Sequence, residues 1–503
     1  MSLTTVERPF GLLEKYQVSK YLTRCYGTLA ATAVIRHSPR PDKQHDVKQF
    51  YLSQLHAPLE RLIEKHPQLS LAVAEHDKPS AHFVRLTQFD LSAVVHVIHE
   101  QVPFWDRSEL AKLIATECDH EFDLNNQTNP LWQLRIGVHD DRLDECSIVF
   151  TAQHVIADGK SLAIFWQDLL AEINGTTSSS SSTATARQEE GEEDETYNNE
   201  GYVIKPKTLA PIMPPYEDRQ SPMPTAGNIL GVVSRMLAKK TLPGFLIRRW
   251  FPQGWAGDYP AITNKSKAQH DTVVRAIELG GTTWSVVCAT SREHKVTPHA
   301  AIMAAVVLAL AEVYPETTTV STGTPVNCRS FCKPPVPENE MGNFVGSYSH
   351  TWDLPSLSSW GFWDMAKTYH AQLKANKHEA AKDAGLLKYL SKYPEDYTKF
   401  WYDHWKSNPI MHRAGGVELS DLGKFVLPPL TTETAVDDLW QIESIWFCQS
   451  AQIFTSALSV NSISTMDSMY ATVGWQKGSL DVCKADTFVL LVIRHLKNCC
   501  PPQ

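Results

Sequence analysis

The sequence predicts a mixed α/β protein, with α+β type mixed sheets, built as two lobes. Three observations carry that expectation. At 503 residues the chain exceeds what one hydrophobic core organises, and two domains of about 200 residues each follow. Segments of strand character alternate with segments of helical spacing in both halves. Between the halves lies a stretch with too little apolar side chain to offset its ordering entropy: a serine run from Ser178 to Ser182, an acidic cluster from Glu189 to Glu195, then prolines from Pro206 to Pro224. The expected division is a first lobe over 1–174, a flexible linker over 175–225 and a second lobe over 226–503.

In the first lobe, Phe10 to Tyr26 mixes apolar and charged residues as an amphipathic element does. Gly27 to Arg36, small and β-branched, predicts a strand. Phe50, Leu52, Leu55, Leu59, Leu62 and Ile63 give one helical face over Val47 to His66, and Pro67 stops it. Leu69 to Ala74 and Ala81 to Leu86 form a strand pair about the turn at Asp77-Lys78-Pro79. A helix over Ser108 to Glu121 precedes the strand Pro130 to Ile136. That strand is expected to pair with Ser147 to Gln153 across the polar turn Asp140 to Glu145.

The second half opens on Asn228 to Trp255, a basic amphipathic stretch with Arg235, Lys239, Lys240, Arg248 and Arg249 beside Leu237, Phe245 and Trp250. Such a stretch packs on a lobe with its cations outward, or lies on a membrane surface. A strand at Thr272 to Leu279 and a helix at Trp284 to Lys295 follow. Thr297 caps the next helix with Pro298 at its first position. Its alanines at 300, 301, 304, 305 and 309 permit close packing. Strands are expected at Thr317 to Val326, Trp440 to Gln449, Phe454 to Ile463 and Met469 to Trp475. Helices are expected at Phe362 to Lys377 and Ala485 to Leu496, and Glu418 to Gly423 is expected to lead into a loop.

Several function classes are excluded. A net charge of −9 argues against a nucleic-acid partner. The ten cysteines show no metal-type pairing, so no metal site is expected. Met1 to Tyr16 has no apolar leader core, and no apolar run reaches the length of a membrane span. A cytoplasmic protein with reduced thiols, monomeric because two lobes complete a cleft, is the expectation.

The chemistry centres on Cys146 to Trp166. An apolar strand ends at His154-Val155-Ile156-Ala157-Asp158-Gly159, and helical spacing resumes from Lys160. Strand, glycine turn and helix leave His154 at the lip of a cleft, where an imidazole can take a proton from a hydroxyl and return it to a leaving group. Asp158, at the bend, can bind turn amides or an arginine, and Gly159 allows the bend's backbone angles. With 20 histidines in the chain, the string alone equally describes a structural histidine at a strand end.

His154-x-x-x-Asp158-Gly159 resembles the signature of the CoA-dependent acyltransferase superfamily, and the ordered set of motifs is most similar to the fungal alcohol O-acetyltransferase family. The set comprises Gly11 to Tyr16, Pro130 to Leu134, Pro325-Val326-Asn327-Cys328-Arg329, Met341 to Phe344, Glu418 to Gly423, Phe447 to Ser450 and Gly474-Trp475, over about residues 10 to 490. The plant-type Asp-Phe-Gly-Trp-Gly string is absent. Gln153 stands where peptide-synthetase condensation domains carry a first histidine, which favours a free acyl-CoA donor.

The resemblance implies two chloramphenicol-acetyltransferase-like lobes with an active-site tunnel between them. It implies acetyl-CoA as co-substrate and acyl transfer to a hydroxyl, with His154 as base and neither an acyl-enzyme nor a bound cofactor. It also implies that Asp158 supports the catalytic loop by pairing with an arginine, for which Arg329 is the candidate. Tyr348, Ser450 and Arg329 are the candidate substrate or CoA contacts, and Tyr348, Ser450 or an amide near Gly342 the candidate oxyanion donors; Gln449 and Ser450 equally suit an ordinary strand pair. Two alternatives stand beside this: a condensation-like enzyme that forms an amide or uses a carrier-bound acyl donor, and a catalytically silent ligand-binding relative.

Overall fold

The computed structural model describes residues 4–37, 46–175, 201–207, 210–219, 225–243, 254–263, 270–426 and 439–500. The serine run, the acidic cluster and the segment from Phe245 to Phe251 lie outside them.

Two mixed sheets organise the molecule. The first has five strands in the order Gln441–Gln449, Leu29–Arg36, Glu145–Ala152, Trp132–Val138 and Val95–His99. The second has six, in the order Thr272–Leu279, Met469–Gln476, Ser456–Ser464, Gly415–Lys424, Thr319–Asn327 and Val345–Asp353. Both combine antiparallel pairs with parallel ones: Val95–His99 runs parallel to Trp132–Val138, and Gly415–Lys424 parallel to both of its neighbours. A small three-stranded sheet, Thr4–Pro9, His82–Leu86 and Leu71–Ala74, flanks the first.

The strand Glu145–Ala152 lies at the centre of the first sheet, and every residue after Glu145 is buried. Its run of apolar residues is that of a strand covered on both faces. The helix Gly159–Ile173 folds back over it because its apolar face, from Leu162 to Leu170, has that surface to cover. Phe150 and Phe165 stack with ring centroids 3.6 Å apart and planes within 3°. Trp166 donates its indole N–H to the Ala31 carbonyl at 3.1 Å, tying the helix to the neighbouring strand. The end of the strand, and so His154, is fixed between these layers.

In the second lobe the helix Pro298–Val313 begins at Thr297, whose hydroxyl accepts from the Ala300 amide. Ala300, Ala301, Ala304, Ala305 and Ala309 are buried, and helices Val482–Asn498 and Phe362–Ala380 pack against it. Among the described residues no single helix is long and apolar enough to cross a membrane. The ten cysteines are free. The helix Ala226–Thr241 forms, with Leu230 and Leu237 exposed.

The structure departs from expectation in its long-range pairing. Gln441–Gln449 does not stay with the second lobe: it pairs antiparallel with Leu29–Arg36, and Ile445, Trp446 and Phe447 join the first core. The 226–503 segment therefore gives a strand to the other lobe. Glu418 to Gly423 lies within the strand Gly415–Lys424, held by parallel neighbours that local spacing cannot reveal, and the strand gives way to irregular backbone at Phe425 and Val426. Thr4–Pro9, Val95–His99 and the helix Glu395–Ser407 carry weak local signals and went unanticipated.

Removing the stacked ring behind His154 tests this packing. Phe165→Ala is expected to cost about 3–5 kcal/mol, measured by chemical denaturation; a loss below about 1 kcal/mol would show that the stack does not anchor the helix.

Candidate active site

The strand Glu145–Ala152 ends one residue before a tight turn. Gln153 is buried; its amide donates to the Leu131 carbonyl at 2.9 Å, and its side-chain oxygen accepts from Val155 N at 2.5 Å. The Ile156 amide closes back on the Gln153 carbonyl at 3.1 Å. His154 is the residue this turn lifts out of the sheet.

Asp158 follows as the N-cap of the helix Gly159–Ile173. Its Oδ1 accepts from the Ser161 amide at 2.9 Å and from Arg329 Nη2 at 3.0 Å, and its Oδ2 accepts from Arg329 Nη1 at 2.9 Å and from the Phe344 amide at 3.0 Å. The Asp158 amide donates to the Gly342 carbonyl at 3.0 Å. Burial alone would raise this carboxyl, but Arg329, the Phe344 amide and Ser161 outweigh it and hold Asp158 below the usual carboxylate range. Arg329 is wholly buried, donates Nε to the Glu340 carbonyl at 3.0 Å and lies over the Phe344 ring. Asn343 completes the clamp, its side-chain amide donating to the His154 carbonyl at 3.1 Å. The histidine turn of the first lobe is thus gripped by residues 329–344 of the second.

Gly342 and Gly159 serve different ends. Gly342 has φ 146°, and a side chain there would meet Phe344 at 2.6 Å. Gly159 is not among the glycines with positive φ, so the bend does not need it for backbone freedom. Its requirement is space: a Cβ would lie 2.8 Å from Leu422 Cδ2 and 3.3 Å from Phe447 Cζ.

His154 opens onto a cavity of about 610 Å³ whose wall draws on both lobes, including Tyr16, Lys20, Tyr26, Ser347, Glu418 and Gln449. Its Nδ1 is turned inward without a well-formed hydrogen bond, which leaves Nε2 for the cavity. Burial first, and the Lys20 charge second, push the imidazole down to about 4, against Asp158 and the carbonyls of His154 and Ala157. Near neutral pH the ring is uncharged and can accept a proton.

The remaining candidates lie elsewhere. Tyr348 is buried on the far face of Val345–Asp353, its ring 6.2 Å from that of Tyr369, because alternation along the strand sends Ser347 and Ser349 to the cavity instead. Ser450 is buried and accepts from the Gly27 amide at 2.6 Å, joining two strand ends. Arg329 lies behind Asp158 and does not itself line the cavity. The Gly342 amide donates to Ser161 Oγ at 3.0 Å. None of the four lines the cavity.

Sequence reasoning missed a polar network on that wall. Tyr26 donates to Gln449 Oε1 at 3.0 Å; Gln449 and Gln452 donate to Glu418 Oε1 at 2.8 and 2.6 Å. The partners are 423, 31 and 34 residues apart, and no local pattern joins them. Among the described residues no cluster of potential metal ligands occurs.

Breaking the clamp should be costly. Asp158→Asn leaves Arg329 buried without its counter-charge and is expected to destabilise the fold by about 3–5 kcal/mol. Because the folded carboxyl is held below its unfolded value of 3.8, the wild-type advantage is complete above that pH and is lost as pH falls through the depressed value. Denaturation at several pH values checks both; an equally stable variant, or a deficit that persists at low pH, would reject this account.

A model of the alcohol acetyltransferase family matches residues 47–491. No curated protein matches the chain. Among solved structures, the chain is similar to the trichothecene 15-O-acetyltransferase TRI3 from Fusarium sporotrichioides, with TM-score 0.65, 15% identity, and 99% and 96% of the two chains covered. It is also similar to the epimerization domain from the third module of tyrocidine synthetase B (TM-score 0.57, 12% identity, 98% and 97% covered). The condensation domain of the Monacolin K polyketide synthase MokA gives TM-score 0.56 and 13% identity, with 99% and 98% covered. At these identities the likeness is one of fold.

Proposed function

The chain belongs to the alcohol acetyltransferase family and is an acyltransferase, and from that premise we propose that it moves an acyl group, acetyl in the first instance, from acyl-CoA directly to a hydroxyl of a small alcohol or secondary metabolite. The observation that carries the reading is the placement of His154: a neutral imidazole with one nitrogen facing a cavity walled by both lobes.

His154 Nε2 takes the hydroxyl proton as the oxygen attacks the thioester carbonyl. The imidazolium then returns that proton to the departing CoA thiolate. Direct transfer is supported by the state of the one cysteine on the cavity wall. Burial pushes the Cys25 thiol up to about 11, so its nucleophilic thiolate is scarce at neutral pH. Asp158 and Arg329 act through position, fixing the turn that carries the base.

Thiol release from acetyl-CoA with a panel of alcohols tests the reading. Alcohol-dependent release is expected in the wild type and a loss of about 10²–10⁴-fold in His154→Ala. Absence of release with every alcohol, or an undiminished variant, would sink it. The base works uncharged, so kcat/KM should rise with pH through about 4 and stay level toward neutrality. An acid limb centred near 6.5 instead would mean that the buried environment does not set the imidazole.

A further inference from the structure

The mechanism leaves one charged group of the cavity wall unused. Lys20 stands on the helix Leu12–Leu22 and lines the cavity with His154. Among the described residues it is the one lysine or arginine on that wall. Its ammonium lies 4.7 Å from the ring centroid of Tyr26, 5.1 Å from Tyr16 and 5.6 Å from Trp401. The Tyr26 ring is in turn 5.8 Å from the imidazole of His154, so cation and base flank one tyrosine.

Aromatic faces attract an ammonium, but they replace only part of the water it has lost. Burial lowers the Lys20 ammonium, and the nearby carboxylate that favours its charge, Glu418, is already engaged by the amides of Gln449 and Gln452. No carboxylate among the described residues makes an ion pair with Lys20. A half-buried cation held without an ion pair beside a general base is suited to a negative charge that arrives only during the reaction.

The reaction supplies such a charge. As the alcohol oxygen bonds to the thioester carbon, its proton passes to His154 and the carbonyl π pair moves onto oxygen. When that pair returns, the carbon–sulfur bond breaks and the thiolate recovers the proton from the imidazolium. The donors expected from the sequence are not on the cavity wall: Tyr348 and Ser450 lie off it, and the Gly342 amide is bonded to Ser161. We propose that Lys20 is a further catalytic residue, its ammonium stabilising the oxyanion formed on the thioester carbonyl. The inference rests on the acyl-transfer reading above.

The same position explains a conflict within the site. Lys20 is, after burial, the second cause of the lowered His154, so it disfavours the imidazolium that the mechanism requires. An oxyanion beside Lys20 cancels that repulsion at the moment the imidazole is protonated. The relief exists in the transition state and not in the free enzyme, the condition under which an interaction raises kcat.

Steady-state kinetics of Lys20→Met and Lys20→Arg test the proposal, with acetyl-CoA and an alcohol on which the wild type releases thiol. Lys20→Met is expected to lower kcat about 10²-fold while both KM values stay within about twofold. Its acid limb should move up from about 4, and its Tm should hold or rise, since an unpaired cation is removed. Lys20→Arg, which keeps the charge, should recover much of the rate. Unchanged kcat in Lys20→Met would overturn the proposal. So would a rise in KM alone, which marks a ground-state anion site, or a lowered Tm with intact kcat, which marks a packing role. A wild type that neither releases thiol with any alcohol nor binds acetyl-CoA would remove the acyl-transfer reading itself; an active wild type with an indifferent Lys20→Met removes this inference alone.

Discussion

The buried pair of Asp158 and Arg329 is the interaction on which the site depends. Neither charge has access to bulk water, and each alone would be strongly disfavoured in the interior. Together with the Phe344 and Ser161 amides and the Glu340 carbonyl, they satisfy one another's hydrogen-bonding demands. Such a pair contributes little net stability compared with a well-packed apolar substitute. What it supplies is registration. The turn bearing His154 comes from the first lobe, the grip comes from the second, and the cavity exists only when the two are correctly set.

That registration lets the histidine occupy an environment that would otherwise be costly. Burial alone favours the neutral imidazole. Asp158 sits four residues away, and its charge is largely compensated by Arg329, so it raises the imidazole less than a bare carboxylate would. A carboxylate bonded directly to the ring would give a stronger base but a ring more often charged in the resting state. Here the ring is held neutral, and its weakness as a base must be made good by whatever charge the reaction itself brings. The aromatic wall of Tyr16, Tyr26 and Trp401 serves the same end by keeping the local dielectric low.

How much of this could be read from the chain follows from the range over which each feature is determined. Elements set by local spacing were legible: Val47–Lys65, Thr272–Leu279 and Pro298–Val313 lie where periodicity and caps put them. The strand, turn and helix around His154 were legible for the same reason. The transfer of Gln441–Gln449 into the first sheet was not, because a strand's own sequence records that it is buried but not which neighbour buries it. The Asp158–Arg329 pair spans 171 residues, and a motif resemblance could suggest it where local pattern could not.

The misplacement of Tyr348 and Ser450 follows from one physical fact. In a strand, neighbours point to opposite faces, so naming the right strand and the wrong residue reverses the conclusion. Val345–Asp353 does border the cavity, through Ser347 and Ser349, while Tyr348 packs toward Tyr369 in the second core. An aromatic hydroxyl suggests chemistry, but in a half-buried strand the large apolar ring belongs to the core side and the small polar residues to the open side. Lys20 illustrates the converse. On a helix of mixed composition a lysine is ordinarily a solvated group, and the packing of Tyr16, of Tyr26 from the following turn and of Trp401 from a distant helix shields it in part. The chemistry of this cavity is therefore set less by residue type than by which face the tertiary packing assigns to each residue.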